Sequence, residues 1–267
     1  MKKLGLLLLL IAQQAMGGTL PRPDHVIIVV EENRAYSEII GSGEAPYINS
    51  LAKRGMLFTN SHGVAHPSLP NYLALFAGST YNVTSDVCPL ELSGDNLADS
   101  LHKRGLSFAI YSESLPEAGA EGCMYGDYRR KHNPVAAWNE LAALSLPFST
   151  FPRDFSRLPT VSWVIPDQRN DMHDGSVAQG DAWLKRNLGA YAKWAARHNS
   201  LLILTWDEDY NSPSNRVATI FYGQMVRHGN SMQPVNHYSV LRTIEEMYAL
   251  PALNDSAQVR AIEGVWR

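Results

Sequence analysis

The sequence predicts an α/β fold with a mostly parallel central sheet and helices on both of its faces. Continuous apolar runs rich in Val, Ile and Leu, such as HVIIVV at 25–30, are typical of strands buried on both faces, as in parallel sheets. These runs alternate with segments whose apolar residues recur every three or four positions. That second pattern is typical of helices covering such a sheet.

The predicted elements follow in order along the chain. After the first strand, Ile48 and Leu51 share one face of a helix that ends at Gly55, and MLFTN forms the next strand. The same order of helix, glycine and strand occurs again further along the chain. Leu97 and Leu101 lie four apart on one helix face, the helix ends at Gly105, and a strand begins at once. The remaining elements are a strand at TVSWVIP, a long helix at DAWLKRNLGAYAKWAARHN with Trp183, Leu188, Tyr191 and Trp194 as core, strands at LLILTWD and VATIFYG, and a closing helix at YSVLRTIEEMYAL.

The first 18 residues are typical of a secretory signal. Lys2 and Lys3 precede an apolar stretch at 4–11, and small residues follow near Ala15 and Gly17. We expect residues 1–18 to be removed and residues 19–267 to form a single domain in an exported protein, periplasmic or secreted. No later segment approaches the roughly 20 apolar residues of a membrane helix, so no stable membrane anchor is expected.

The net charge narrows the classes of molecule that the chain could bind, and the two cysteines allow one disulfide. Loss of Lys2 and Lys3 with the signal would lower the formal net charge from −3 to −5, and basic residues cluster only at 129–131. This balance disfavours nucleic-acid binding, and no protein partner is predicted. In an oxidising compartment, one bridge between Cys88 and Cys123 would contribute about 3 to 4 kcal/mol through the loop it closes, with two free buried thiols as the alternative.

Three of the apolar runs end in clusters of acidic residues. Because the carboxyl ends of parallel strands meet at one edge of a sheet, these acids should converge there. Two carboxylates about 4 Å apart repel by about 4 kcal/mol at an effective dielectric near 20, which predicts a divalent cation among them. The acids are Glu31 and Glu32 after the first run, Asp167, Asp171 and Asp174 after TVSWVIP, and Asp207, Glu208 and Asp209 after LLILTW.

Ser68, in HPSLPNYLALF, precedes a short helix whose amide groups and dipole favour an anion. That position suits a nucleophile, and it equally suits an N-cap with Pro70 in the first helical turn. Nearby, Gly63 and Pro67 argue against a helical zinc pair made by His62 and His66, which are expected to be loop histidines.

Other polar side chains are expected at the same edge. Asn33 beside Glu32 offers two donors to a phosphate or carbonyl oxygen. His173 and His237 supply imidazoles that could bind a second metal, donate to a phosphoryl oxygen or protonate a leaving group.

Five motifs in order resemble the phosphoesterase family: VVEENRAY, HPSLPNYLALFAGS, VIPDQRNDMHDG, TWDEDY and NHYSVLRTIEEMY. That family contains bacterial acid phosphatases and phospholipases C and belongs to the alkaline-phosphatase-like superfamily. The resemblance runs from His25 to Tyr248. It implies that Glu32, Asp207 and Glu208 hold a metal whose further ligand is the nucleophile Ser68. It also implies contacts with the phosphoryl group from Asn33, Asn71, His173 and His237, with His132 as another such contact. Asp171 would lie where two-metal relatives bind a second ion.

The spacing around Asp171 favours one ion, with a second left open. Two-metal relatives separate the aspartate and histidine by three residues, whereas only Met172 lies between Asp171 and His173. Carboxylates with a serine oxygen suit Ca, Mg or Mn, and a histidine ligand would favour Zn or Fe.

The resemblance therefore implies an exported, metal-dependent acid phosphatase that acts on small phosphate esters through a phosphoserine. A phosphodiesterase or phospholipase C of the same family is one alternative. A catalytically silent, metal-stabilised binding protein is the other. Lipase, P-loop and zincin motifs are absent from the sequence.

Overall fold

The computed structural model describes residues 20–267, so the predicted signal lies outside the described residues. The strands are β1 (His25–Glu31), β2 (Met56–Phe58), β3 (Ser61–His62), β4 (Phe108–Ser112), β5 (Met124–Tyr125), β6 (Tyr128–Arg129), β7 (Ser145–Pro147), β8 (Val161–Ile165), β9 (Ser200–Trp206), β10 (Thr219–Tyr222), β11 (Gly229–Ser231) and β12 (Val235–Asn236). The α-helices are α1 (Tyr36–Ile39), α2 (Pro46–Arg54), α3 (Ser68–Ala77), α4 (Leu97–His102), α5 (Val177–Ala195) and α6 (His237–Met247). Short 3₁₀ helices lie at Arg130–His132, Pro134–Ala137, Asn139–Leu144, Phe148–Thr150, Phe155–Arg157 and Asn254–Gln258.

An eight-stranded sheet forms the centre, in the order β11-β2-β10-β9-β1-β8-β4-β7. All neighbouring pairs are parallel except the two that β10 makes with β9 and β2. The predicted α/β class with a mostly parallel sheet is confirmed. The strands β9, β1 and β8, which carry the three acidic endings, are direct neighbours with a common direction.

Two apolar layers cover the sheet, and β1 contributes to both. Val26, Ile28 and Val30 pack in the layer that includes α3, α4 and α6, while Ile27 and Val29 pack in the layer that includes α2 and α5. This alternation follows from the two-residue period of a strand, and it explains why the run is apolar without interruption. Trp183, Leu188 and Tyr191 are buried in the second layer and Trp194 packs against it, as predicted for the long helix.

The helix after His66 begins one residue earlier than its sequence predicts. Pro67 is the N-cap, so Ser68 is the first helical residue and the N-cap interpretation of Ser68 is wrong. The helix ends at Ala77 and is capped by Gly78, whose φ of +69° suits glycine. A Cβ at Gly78 would lie 2.1 Å from the carbonyl oxygen of Leu253. The ten residues of α3 are buried along their whole length.

Cys88 and Cys123 form a disulfide that closes a loop with a sequence separation of 35. The bridge was one of the two alternatives open from the sequence. In the part of the chain from residue 20 onward, no helix has the length and apolar character needed to cross a bilayer.

Candidate active site

The acidic ends of β9, β1 and β8 meet at one rim, as the sequence predicts. The backbone N–H of Asp207 donates to the carbonyl of Glu31 at 3.0 Å, and that of Glu32 donates to the carbonyl of Asp171 at 2.8 Å. The first bond continues the parallel pairing of β1 with β9, and the second joins the end of β1 to the loop that follows β8. They bring residues that are far apart in sequence to the carboxyl edge, where open α/β sheets bind ligands.

Ser68 lies between two of these carboxylates. Its hydroxyl is 3.0 Å from Oε2 of Glu32 and 3.2 Å from Oε1 of Glu208, and the residue is 1% exposed. Because Ser68 is the first residue of α3, the positive end of that helix dipole lies at this hydroxyl. In the first turn, the N–H of Leu69 already donates to Asp86 and Pro70 has no N–H. This hydroxyl is therefore placed where an anion would be stabilised.

A second layer of contacts holds Glu32. Its Oε1 accepts a hydrogen bond from the Tyr72 hydroxyl at 2.8 Å and lies 2.9 Å from Nε2 of His132. The His132 ring stacks on the Tyr72 ring with centroids 5.2 Å apart, and its Nδ1 is 3.5 Å from Oδ2 of Asp171. His132 thus lies between two buried carboxylates that would otherwise repel each other.

The titration of this group follows from burial and from the pairing with His132. Burial alone lowers the pKa of His132, but the charges and hydrogen bonds of Glu32 and Asp171 raise it to about 9. Burial alone raises the pKa of Glu32, yet His132 and Lys131 bring it down to about 2. Burial raises the pKa of Asp171 to about 6 against the opposing effect of His132. A protonated His132 beside an ionised Glu32 is the expected pair at neutral pH.

Asp207 and Glu208 complete the carboxylate cluster. Oδ1 of Asp207 accepts the backbone N–H of Asn33 at 3.2 Å, while its buried Oδ2 has no hydrogen-bond partner within residues 20–267. Burial and the charges of Glu32 and Glu208 raise the pKa of Asp207 well above its ordinary value. Burial also raises the pKa of Glu208, although a contact with His66 opposes this. Both carboxylates therefore lack sufficient positive charge around them.

This deficit matches what a cation would supply. In the described range, no three His, Cys, Asp or Glu side chains already have the arrangement that would hold a metal ion. The donor set nevertheless fits a divalent cation, because Glu32, Asp207 and Glu208 are buried and mutually repelling. Glu32 and Glu208 both contact the Ser68 hydroxyl, and Asp207 has one oxygen without a partner in the described residues.

The other predicted residues lie at different distances from this centre. His237, the first residue of α6, contacts the carbonyl of Asp207 through Nε2, and burial lowers its pKa to about 4. The backbone N–H of His173 donates to Asp171 at 2.8 Å, while its ring pairs with Asp174 at 2.7 Å. The structure therefore brings His237 to the centre through Asp207 and ties His173 to it through Asp171.

Asn71 has a structural role in the loop before Ser68. Its carbonyl oxygen accepts the N–H groups of Val64 and Ala65 at 2.9 and 3.0 Å, and its amide donates to the carbonyls of Ala65 and Pro67 at 2.9 and 3.1 Å. These four bonds use the hydrogen-bonding capacity of the carboxamide. Its contact with a phosphoryl group stays a prediction.

Two residues of the centre were not singled out from the sequence. Tyr72 looks like an ordinary apolar position of α3, and only its place one helical turn after Ser68 indicates that it faces the rim. Lys131 has its Nζ 3.4 Å from the Ser68 hydroxyl and 2.7 Å from Asp86. Its only sequence signal was the basic run at 129–131, which charge counting alone treats as surface.

Comparisons with known proteins identify the family of this chain. The profile of the Phosphoesterase family matches residues 42–251. The chain is 47% identical over 251 residues to a phosphatidylinositol-3-phosphatase of Mycobacterium tuberculosis, covering 92% of this chain and 84% of that protein. It is 30% identical to an acid phosphatase of Aspergillus fumigatus, covering 76% of this chain but only 50% of the fungal enzyme.

The fold has solved relatives. A protein of the alkaline phosphatase superfamily from Vibrio parahaemolyticus superposes with a TM-score of 0.58 at 13% identity, covering 92% of this chain and 72% of that one. The predicted resemblance and the predicted enzyme class are confirmed: this chain belongs to the Phosphoesterase family and is a phosphoric-ester hydrolase of the phosphatase type.

Proposed function

We propose that this chain is an exported, metal-dependent phosphomonoesterase of the acid phosphatase type that works through a phosphoserine at Ser68. The observation that carries the proposal is the position of the Ser68 hydroxyl. Ser68 is the first residue of α3, and its hydroxyl lies within hydrogen-bonding distance of both Glu32 and Glu208. A hydroxyl between two carboxylates at a helix N-terminus has both proton acceptors and a site for the anion that it attacks.

A divalent ion held by Glu32, Asp207, Glu208 and Ser68 would lower the pKa of the serine hydroxyl and neutralise charge that builds up on the phosphoryl group. The support is the buried, mutually repelling set of carboxylates and the unpartnered Oδ2 of Asp207. One ion suits this set. A second would have to use Asp171, whose Oδ2 already faces His132 at 3.5 Å.

The proposed reaction has two steps, formation of a phosphoserine and its hydrolysis. The Ser68 proton leaves along its hydrogen bond to a carboxylate as Oγ bonds to phosphorus, and the bond from phosphorus to the leaving oxygen breaks with its electron pair. That oxygen takes a proton from solvent. Water then attacks the phosphorus of the phosphoserine, the bond from phosphorus to Oγ breaks, Oγ takes back the proton held by the carboxylate, and phosphate leaves with the oxygen of the water. Asn33, Asn71, His173 and His237 are proposed to stabilise charge on the phosphoryl oxygens, directly or by orienting the groups that do so.

A cavity of about 340 Å³ adjoins the centre and is proposed to hold the alcohol part of the substrate. His66 links the two regions, because its ring contacts Glu208 and its Nε2 lies 3.2 Å from the carbonyl of Ser212 in the cavity wall. The wall combines polar and apolar surface and includes Tyr36, Asp209, Tyr210, Ser212, Ser214 and Arg216.

The side chains of Asp209, Ser212 and Ser214 in this wall could hydrogen-bond to the hydroxyls of a polyhydroxylated alcohol. The Mycobacterium tuberculosis relative is named for a phosphoinositide substrate, so a phosphoinositide with a 3-phosphate is our second candidate beside small soluble monoesters. Hydrolysis of phosphatidylinositol 3-phosphate and of p-nitrophenyl phosphate, measured side by side as phosphate release, would rank the two.

Export is supported by the signal-like start of the sequence and by the Cys88–Cys123 bridge, because disulfides persist in oxidising compartments. A fusion of residues 1–18 to a reporter that requires export would test this part of the proposal.

The central test is Ser68→Ala, with Ser100→Ala as a matched control because Ser100 is also a buried helical serine, on α4. We expect Ser68→Ala to lower kcat for p-nitrophenyl phosphate by at least roughly a thousandfold while Ser100→Ala stays near wild type. Equal activity of wild type and Ser68→Ala would refute the nucleophile. Absence of hydrolysis by the metal-loaded wild type on monoesters and diesters alike would favour the silent binding protein.

A further inference from the structure

Lys131 places an ammonium group next to the nucleophile. It lies in the 3₁₀ helix Arg130–His132, its side chain is 15% exposed, and its Nζ is 3.4 Å from Oγ of Ser68. Burying the charged end of a lysine side chain costs solvation free energy unless a group of opposite charge pairs with it. The position therefore calls for an explanation beyond surface charge.

Asp86 fixes this ammonium against the helix that carries the nucleophile. Its Oδ2 is 2.7 Å from Nζ of Lys131, and its Oδ1 accepts the backbone N–H of Leu69 at 3.0 Å. One carboxylate thus joins Lys131 to the first turn of α3. The distance between the ammonium and Ser68 is set by this bridge.

The disulfide holds both partners from outside. Cys88 lies two residues after Asp86, and the carbonyl of Cys123 accepts the N–H of Arg130, the neighbour of Lys131, at 3.0 Å. The bridge between the two cysteines therefore connects the segment of Asp86 to the segment of Lys131. An ammonium with two such supports keeps its orientation without a ligand.

The geometry leaves this ammonium able to take a further partner. A lysine has three N–H donors, of which one faces Asp86 and one faces Ser68. When Oγ attacks phosphorus, the non-ester oxygens of that phosphorus come within reach of a group that is 3.4 Å from Oγ. A monoester dianion carries more negative charge on these oxygens than a diester monoanion, so it gains more from a fixed cation.

We propose that Lys131, positioned by Asp86, contacts a non-ester oxygen of the phosphoryl group and selects phosphate monoesters over diesters. The inference rests on the proposed function and names the residue that sets its substrate class. It makes Lys131 a catalytic residue and Asp86 a positioning residue.

A second ion pair in the chain provides a matched control. Lys103 and Asp95 also have Nζ and a carboxylate oxygen 2.7 Å apart, but both side chains are about two-thirds exposed, at 67% and 68%. Lys103→Met removes the same charge and the same kind of pair away from the site. An effect of Lys131→Met that comes only from losing a lysine–aspartate pair should therefore appear in Lys103→Met as well.

The test compares p-nitrophenyl phosphate with bis(p-nitrophenyl) phosphate in the metal-loaded enzyme. We expect Lys131→Met to lower kcat/KM for the monoester about a hundredfold and for the diester less than about tenfold. Lys131→Arg should recover most of the monoester preference, because it keeps the charge. Lys131→Met should also weaken competitive inhibition by inorganic phosphate, which reports binding without turnover.

Thermal unfolding shows whether each variant is folded. If Lys131→Met unfolds, Lys131→Gln carries the same comparison, because its amide keeps a donor toward Asp86. Equal losses on monoester and diester, or a Lys131→Met enzyme as active as Lys103→Met, would overturn the role of Lys131 while leaving the proposed function intact. If Ser68→Ala keeps wild-type activity, the proposed function and this inference fall together.

Discussion

His132 is the buried group whose removal should affect the stability of this protein most clearly. It lies between Glu32, 2.9 Å from Nε2, and Asp171, 3.5 Å from Nδ1, and is 1% exposed. His132→Gln would remove the positive charge and leave two buried carboxylates facing each other. We expect this variant to be less stable than wild type in the presence of a chelator.

The magnitude follows from the pKa of His132, which its carboxylate partners raise from 6.5 to about 9 although burial opposes this. One pKa unit corresponds to about 1.36 kcal/mol, so the shift is worth about 3 kcal/mol. Breaking a buried ion pair typically costs about 3 to 5 kcal/mol, which agrees. For a chain of this size, such a loss lowers the Tm by on the order of 10 °C.

The raised pKa of His132 also predicts how its stabilising effect changes with pH. Because the folded-state pKa of His132 lies above its unfolded value, the stabilisation is fully present below about pH 6.5 and is lost as the pH rises through about 9. The difference in free energy of unfolding between wild type and His132→Gln should therefore be large at pH 6 and shrink by pH 10.

Urea unfolding at several pH values would measure this difference, with His102→Gln, at an exposed position near the end of α4, as the control. A His132→Gln protein as stable as His102→Gln at pH 6 would refute the pairing. A difference that grows with alkaline pH would refute the sign.

Three further predictions follow from other parts of the structure. A chelator should abolish hydrolysis of p-nitrophenyl phosphate and an added divalent ion should restore it; elemental analysis of the active protein should find about one ion per chain. Reducing the Cys88–Cys123 bridge should lower the free energy of unfolding by about 4 kcal/mol, measured by urea denaturation with and without reductant, and an unchanged midpoint would contradict it. Gly175→Ala should cost about 1 to 3 kcal/mol in thermal unfolding, because a Cβ there would lie 1.8 Å from the carbonyl oxygen of Arg169; wild-type stability would contradict the close approach.

The meeting of the acids at one edge of the sheet could be predicted because it depends only on strand direction. Glu32, Asp171 and Asp207 each follow an apolar run, and runs of this kind form parallel neighbours whose ends meet. Strand direction therefore allowed Glu32 and Glu208, which are about two-thirds of the chain apart, to be assigned to one rim from the sequence. Their close approach depends in addition on the adjacency of β9, β1 and β8, which only the structure shows.

The remaining parts of the site depend on the conformation of irregular segments. Lys131 and His132 reach the centre through a 3₁₀ turn in a region held by a disulfide, and no periodic pattern indicates where such a turn points. The start of α3 at Ser68 was misplaced by one residue because Pro67 fits the N-cap conformation without a side-chain cap. Whether a buried polar side chain such as Asn71 finds hydrogen-bond partners depends on the geometry of the loop around it. Secondary-structure propensities of the residues do not encode that geometry.

The most direct test of the central claim is peptide mass spectrometry of wild-type enzyme quenched in acid during turnover of p-nitrophenyl phosphate. The good leaving group of this ester favours accumulation of the covalent intermediate. We expect one phosphoryl group on the peptide that contains Ser68, bound to the Ser68 side chain. Turnover with the phosphoryl group on another residue, or with Ser68 unmodified throughout, would contradict it.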